Sequence, residues 1–98
     1  LRDKTILELM YACGLRVSEV LTLKTTNILF ADEVVRVIGK GSKERIIPAA
    51  ITSLEWVKIY IERSRNTLAK PYSEDHLFLN WQGTKLSRMA IWDIINKG

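Results

Sequence analysis

Glu33-Val34-Val35-Arg36-Val37-Ile38-Gly39-Lys40-Gly41-Ser42-Lys43-Glu44-Arg45-Ile46-Ile47-Pro48 is the stretch that decides the fold. Glu33 to Ile38 is rich in β-branched residues, which fit a pleated surface. Gly39 to Ser42 supplies a turn, and Lys43 to Ile47 runs back. Pro48 stops the return strand because it has no N–H to give to a ladder. Upstream, Ile28 to Phe30 can form a further short strand, with Ala31-Asp32 as the turn that follows it. The spacing predicts a small antiparallel sheet of two or three strands.

Helical patterns surround this sheet. Ile6, Leu9, Met10 and Cys13 recur at the interval that lines one helix face, which predicts a helix from Asp3 to Cys13. Asp3 is placed to cap its start, and Gly14 to end it in a left-handed conformation. A second helix is expected from about Val17 to Lys24, with Val17, Val20 and Leu21 inward. Thr52-Ser53-Leu54-Glu55 fits a capping box and opens a helix to about Arg65, with Leu54, Val57, Tyr60 and Ile61 on one side. Ala69 to Asp75 is a polar loop containing Pro71, Leu77-Phe78-Leu79 a short apolar strand, and Gln82-Gly83 a turn. Ser87 caps a last helix running from Arg88 to about Asn96, with Met89, Trp92 and Ile95 apolar and Gly98 as its end. There is no internal repeat, low-complexity segment or linker. The expectation is one α+β unit, helices packed around a small antiparallel β-sheet.

Composition sets further bounds. The chain has 98 residues, enough for one domain, and 47% are hydrophobic, too many for a disordered segment. No apolar run approaches the roughly 18 residues of a membrane span, and the first residues do not read as a signal peptide. Cys13 is the only cysteine, so an intrachain disulfide is excluded, and it reads as a small buried hydrophobe. That agrees with a reducing, cytoplasmic setting. His76 is the only histidine, which leaves no visible metal-ligand cluster. The net charge of +4 permits nucleic acid as a partner. Its distribution says more: Arg36, Lys40, Lys43 and Arg45 face a single acid, Glu44, around a glycine-bearing tip.

Two cations stand in unusual contexts. Arg16 follows the break at Gly14-Leu15 and projects from near the start of the second helix, where the backbone dipole disfavours a cation and favours an anion. Lys40 stands at the hairpin tip. A helix junction and a hairpin tip can hold two cations over one point, and the natural guest there is a phosphate. Simpler readings exist for each. Gly39-Lys40-Gly41 suits a tight turn whatever its lysine does. Arg16 can pair with Glu19 one turn on, or Glu19 can hold Arg16 or the backbone in place. A nucleotide-binding loop is excluded, because Gly41 stands where Ser or Thr must follow the lysine and Val34 where a glycine is needed.

Taken together, Tyr11-Ala12-Cys13-Gly14-Leu15-Arg16-Val17-Ser18-Glu19 and Val35-Arg36-Val37-Ile38-Gly39-Lys40-Gly41-Ser42-Lys43-Glu44-Arg45 resemble the catalytic domain of tyrosine recombinases, in particular the bacterial Xer type. Arg2-Asp3-Lys4 resembles the family's entry to the first helix, and the 24 positions from Arg16 to Lys40 resemble its spacing. The resemblance covers essentially the whole chain. It implies an enzyme that breaks and rejoins double-stranded DNA through a phosphotyrosine intermediate, without metal or other cofactor. By the same resemblance Arg16 clamps the scissile phosphate and Lys40 protonates the leaving 5′ oxygen. Lys43, Arg45, Lys85 and Arg88 are then expected at the DNA backbone, with Glu19 holding Arg16 in place. Partners would be DNA and other recombinase protomers in a tetrameric synapse, with no membrane.

The family's His-x-x-Arg motif, its further His or Trp and its tyrosine nucleophile are not found. His76 is followed three residues on by Leu79, and Tyr11, Tyr60 and Tyr72 do not stand where the nucleophile belongs. Residues 1–98 are therefore expected to be the first half of such a catalytic domain, inactive alone, with some of Trp56, Trp81 and Trp92 exposed. Two other readings use the same residues: a non-catalytic DNA-binding module related to recombinases, and a protein-interaction domain whose basic hairpin is only a solvated turn.

Overall fold

The computed structural model describes residues 1–97, with Lys40 described through its backbone alone. The expected end of the last helix at Gly98 lies outside the described residues. Helix α1 spans Arg2–Cys13 and α2 Val17–Thr22. A 3₁₀ turn at Thr25–Asn27 leads into strand β1, Ile28–Leu29, followed by β2, Val34–Ile38, and β3, Glu44–Pro48. Helix α3 covers Ile51–Tyr60, widens into a π turn at Ile61–Arg65 and ends in a single α turn, α4, at Asn66–Leu68. Helix α5 covers Arg88–Lys97.

The expected α+β architecture is present. The three strands form one antiparallel sheet in the order β1-β2-β3. The register pairs Val35 with Ile47 and Val37 with Arg45 on one face, and Arg36 with Ile46 and Ile38 with Glu44 on the other. Alternation then sorts the two faces. Val35 and Val37 are fully buried, whereas Ile38 and Ile46 are exposed. The buried face meets α2, α1 packs on α3, and α5 packs on both α1 and α2. Ile6 and Leu9, Val20, Val57 and Tyr60, and Ile91 carry these helices into one core. Each of these side chains contributes on the order of 1.5–3 kcal/mol by leaving water. No helix among the described residues is long and apolar enough to cross a membrane.

Several local expectations are corrected. Asp3 does not cap α1. The helix starts one residue earlier, with Leu1 at the cap position, and Asp3 in its first turn pairs with Arg2 at 3.0 Å. The Thr52–Glu55 box does not form either. The helix already starts at Ile51, so Thr52 lies inside the first turn, and Ser53 Oγ donates to the Ala50 carbonyl at 2.7 Å. Leu77–Leu79 is not a strand; only isolated bridges tie His76 to Lys24 and Leu79 to Lys85. Met89 and Trp92 are exposed, while the buried stripe of α5 is Ile91 and Ile94. Ser87 does cap α5, its hydroxyl accepting the Ala90 N–H at 3.1 Å. Of the tryptophans, Trp81 and Trp92 are exposed and Trp56 is half-buried beneath Lys4.

Candidate functional site

Gly14 ends α1 with φ 63° and ψ 37°, a conformation costly for any residue with a Cβ. The chain turns there, Leu15 is buried, and Arg16 becomes the cap residue of α2 in extended backbone, with its side chain exposed. One turn on, Glu19 is only 5% exposed. Its Oε1 accepts the Arg16 backbone N–H at 2.9 Å. A carboxylate in a first helical turn satisfies an orphan donor and matches the helix dipole. Glu19 therefore holds the backbone of Arg16, and its ion pair is not with Arg16 but with Arg45 of β3. Arg45 Nη2 lies 3.2 Å from both carboxylate oxygens.

The same carboxylate lies beside the root of the hairpin. A Cβ placed on Gly39 would sit 3.7 Å from Glu19 Oε2, ordinary van der Waals contact for the added atom. The Gly39 N–H closes the hairpin by donating to the Lys43 carbonyl at 2.7 Å. Beyond it the tip is a tight turn at Lys40–Ser42, with Gly41 at φ 72° and Ser42 at φ 61°. The α2 corner and the hairpin base thus meet at one buried acid. Where the Lys40 side chain points lies outside the described residues; its backbone is the residue next to Gly39.

The remaining cations fall in three places. Arg88, at the start of α5, lines the same open groove as Arg16, a cleft of about 460 Å³ that also takes in Met10, Ser18 and Trp92. Lys43 is exposed beside the hairpin tip. Lys85 is exposed on the approach to α5, where its backbone bridges Leu79, and does not line that groove. Sequence reasoning placed Arg45 at the DNA backbone and did not foresee its pair with Glu19; β3 alternation sets it on the face of Ile47, opposite buried Val37, with its side chain 48% exposed. That alternation was a usable signal. Trp92 was also missed as a groove residue, although Arg88, Trp92 and Ile95 form an i, i+4, i+7 stripe on α5.

Among the described residues no set of three His, Cys, Asp or Glu side chains gathers to hold a metal. Burial pushes the Cys13 thiol up, which suits a packing role better than a nucleophile. Tyr60 is fully buried; its hydroxyl donates to the Leu77 carbonyl at 2.9 Å and accepts the Leu79 N–H at 3.1 Å. Burial raises its pKa, with the Leu79 N–H and the charges of Arg65 and Arg2 opposing. Tyr72 donates to the Gln82 carbonyl at 2.8 Å.

Comparison with known proteins fits this geometry. Residues 1–98 match the phage integrase family. A tyrosine recombinase XerD of Chlorobaculum tepidum is 47% identical over 97 residues, which cover 99% of this chain and 32% of that protein. A tyrosine recombinase XerD of Staphylococcus saprophyticus is 46% identical over 96 residues, covering 98% of this chain and 32% of its own length. The chain therefore spans about a third of the length of the curated relatives it matches. In shape it is similar to the crystal structure of XerA recombinase, with a TM-score of 0.84 at 21% identity over 98% of this chain and 34% of the other. It is also similar to the Tn1549 transposon integrase in complex with circular intermediate DNA, with a TM-score of 0.73 at 19% identity, covering 98% and 36%.

Proposed function

Because the chain belongs to the phage integrase family, we propose that it forms the first part of a catalytic domain that breaks and rejoins double-stranded DNA through a phosphotyrosine intermediate. Residues 1–98 contribute the phosphate-holding side of that site. Arg16 grips the scissile phosphate with its planar fork, which can reach two phosphoryl oxygens and offset charge as it develops. Lys40 protonates the leaving 5′ oxygen, a role open to lysine because its pKa falls beside another cation and away from water. Lys43, Lys85 and Arg88 contact the DNA backbone and set its position without reading sequence. The protein works in the cytoplasm, with DNA and with further protomers in a tetrameric synapse.

One observation carries this reading: Glu19 ties the backbone of Arg16 and the root of the Lys40 hairpin to a single corner. Chemistry at a phosphate needs its cations held before the DNA arrives, and a buried acid shared by both elements does that. None of Tyr11, Tyr60 and Tyr72 stands where the family's nucleophile belongs, and the Tyr60 hydroxyl is engaged in the core. The chain alone is therefore expected to bind a duplex and not to cut it.

The test is titration of a fluorescent DNA duplex at a series of salt concentrations. The logarithm of the binding constant should fall linearly with the logarithm of salt. Arg16→Ala and Lys43→Ala should each weaken binding on every sequence and reduce the slope by about one. Binding that ignores salt, or none at low salt, would overturn the proposal. Recovery of a covalent DNA adduct from this chain would overturn its predicted inactivity.

A further inference from the structure

We infer that Arg45 is a positioning residue: through Glu19 it latches the return strand of the hairpin to the Arg16 corner, and it does not contact DNA. The inference rests on the proposed function only for what the hairpin carries. Glu19 has two oxygens in a buried place. One receives the Arg16 N–H, and both lie 3.2 Å from the same nitrogen of Arg45. Arg45 emerges from β3 opposite fully buried Val37, on the sheet face turned towards α2. Two residues before Arg45, the Lys43 carbonyl takes the Gly39 N–H at 2.7 Å and closes the tip.

Two alternatives for Arg45 make different demands. A phosphate contact would draw the half-exposed guanidinium, held to Glu19 through Nη2 alone, outward to the DNA. Turning it outward would leave the Glu19 carboxylate buried with, among the described groups, one backbone N–H as its partner, an arrangement that desolvation makes costly. A latch needs the pair to stay closed while the tip beyond it moves. The backbone fits the latch: the ion pair sits at the strand, whereas the left-handed residues Gly41 and Ser42 lie beyond it, in the turn. Glu19 then couples two distances at once, the entry of α2 and the height of the tip. Removing either partner should loosen the hairpin as far as removing both.

The experiment combines hydrogen exchange on the 98-residue chain with the salt series for duplex binding. The variants are Glu19→Gln, Arg45→Gln, Arg45→Lys and the double Glu19→Gln/Arg45→Gln. Expected are several-fold faster exchange at the Gly39 amide in both Gln variants, no further gain in the double variant, and partial recovery in Arg45→Lys. Core amides of α1 and α3 should keep their rates, which separates a loosened hairpin from a weakened fold. The slope of binding against salt should be unchanged in Arg45→Gln, while Lys43→Gln lowers it by about one. A slope reduced by one in Arg45→Gln, with the Gly39 amide unchanged, would make Arg45 a phosphate contact and overturn the latch. So would additive effects of the two Gln substitutions on exchange. If no variant and no parent chain binds duplex, the proposed function fails, and exchange alone still decides the latch. Should Arg45→Gln not fold, Arg45→Lys and Glu19→Gln carry the same comparison.

Discussion

The hairpin and the segment from Ala69 to Ser87 invert the usual link between regularity and burial. The hairpin is ideal secondary structure, with five consecutive residue pairs, yet most of β3 and the described side chains of its tip are exposed. The segment from 69 to 87 has no strand or helix, yet Ser73, Leu77, Phe78, Leu79 and Leu86 are all buried. It is held by side chains and scattered backbone bonds, such as those to Leu23 and Thr25, in place of a ladder. Tyr60 serves Leu77 and Leu79, Arg65 serves the carbonyls of His76 and Glu74, Arg2 serves the other side of Leu79, and Ser73 serves Gly83. Buried backbone groups must be paired, but nothing requires the partner to be backbone. An irregular segment can therefore be the fixed part of the molecule and a regular one the movable part.

The sharpest way to break this contrast is Tyr60→Phe. The ring still fills its place, but the Leu77 carbonyl and the Leu79 N–H lose their partner in a fully buried site. At about 1–3 kcal/mol for each stranded group, the loss should be about 4 kcal/mol, read by urea denaturation. A loss under about 1 kcal/mol would mean that the segment is held by packing alone. The same hydroxyl gives a pH signature. Burial raises its pKa above the ordinary 10.0. Between the unfolded and folded values only the unfolded chain loses the proton, so stability is intact below about pH 10 and falls as pH rises through the folded value. Cys13, raised above 9.0 by burial, acts in the same direction and begins earlier. Tyr60→Phe should remove the later part of the alkaline decline and keep the earlier part, a difference that thermal melts across pH 8–11 would show.

Gly83→Ala strikes the same segment from its backbone. Gly83 has φ +78°, and an added Cβ would lie 2.7 Å from the Leu68 carbonyl oxygen, which is backbone and cannot rotate away. Left-handed strain and overpacking together should cost about 3 kcal/mol in the same denaturation measurement. A neutral result would show that the loop can shift as a unit, contrary to its dense bonding.

These residues also explain what was legible in the sequence. The strands, the end of α1 at Gly14 and the cap of α5 at Ser87 were readable, because each depends on neighbours a few positions away. Leu77–Leu79 was not. An apolar triplet flanked by turns has the composition of a buried strand, and distant groups, Tyr60 17 to 19 positions upstream together with Arg2 and the Leu23 carbonyl, supply the bonds that make a strand unnecessary. The Thr52–Glu55 pattern failed for a related reason. The helix begins at Ile51, so a correct local spelling was out of phase with the real start. At the candidate site Arg16 and the hairpin were visible as separate motifs. Their junction was not, because the Glu19–Arg45 pair joins positions 26 apart and depends on how α2 lies against the sheet.

The smallest effects belong at the hairpin tip, where regularity carries little burial. Gly41 has φ 72° and open space where a Cβ would be added, so Gly41→Ala meets only backbone strain, about 1 kcal/mol. Ser42 has φ 61° and is not a glycine, so Ser42→Gly relieves strain of the same kind. Part of that gain returns to the unfolded chain as entropy, which leaves a net stabilisation of no more than about 0.5 kcal/mol. Both values should appear in hydrogen exchange of the Gly39 amide and be nearly invisible at the core amides of α1. If Gly41→Ala instead lowers the protection of α1 and α3, tip and core unfold together, and the hairpin is not the independently movable element that its exposure indicates.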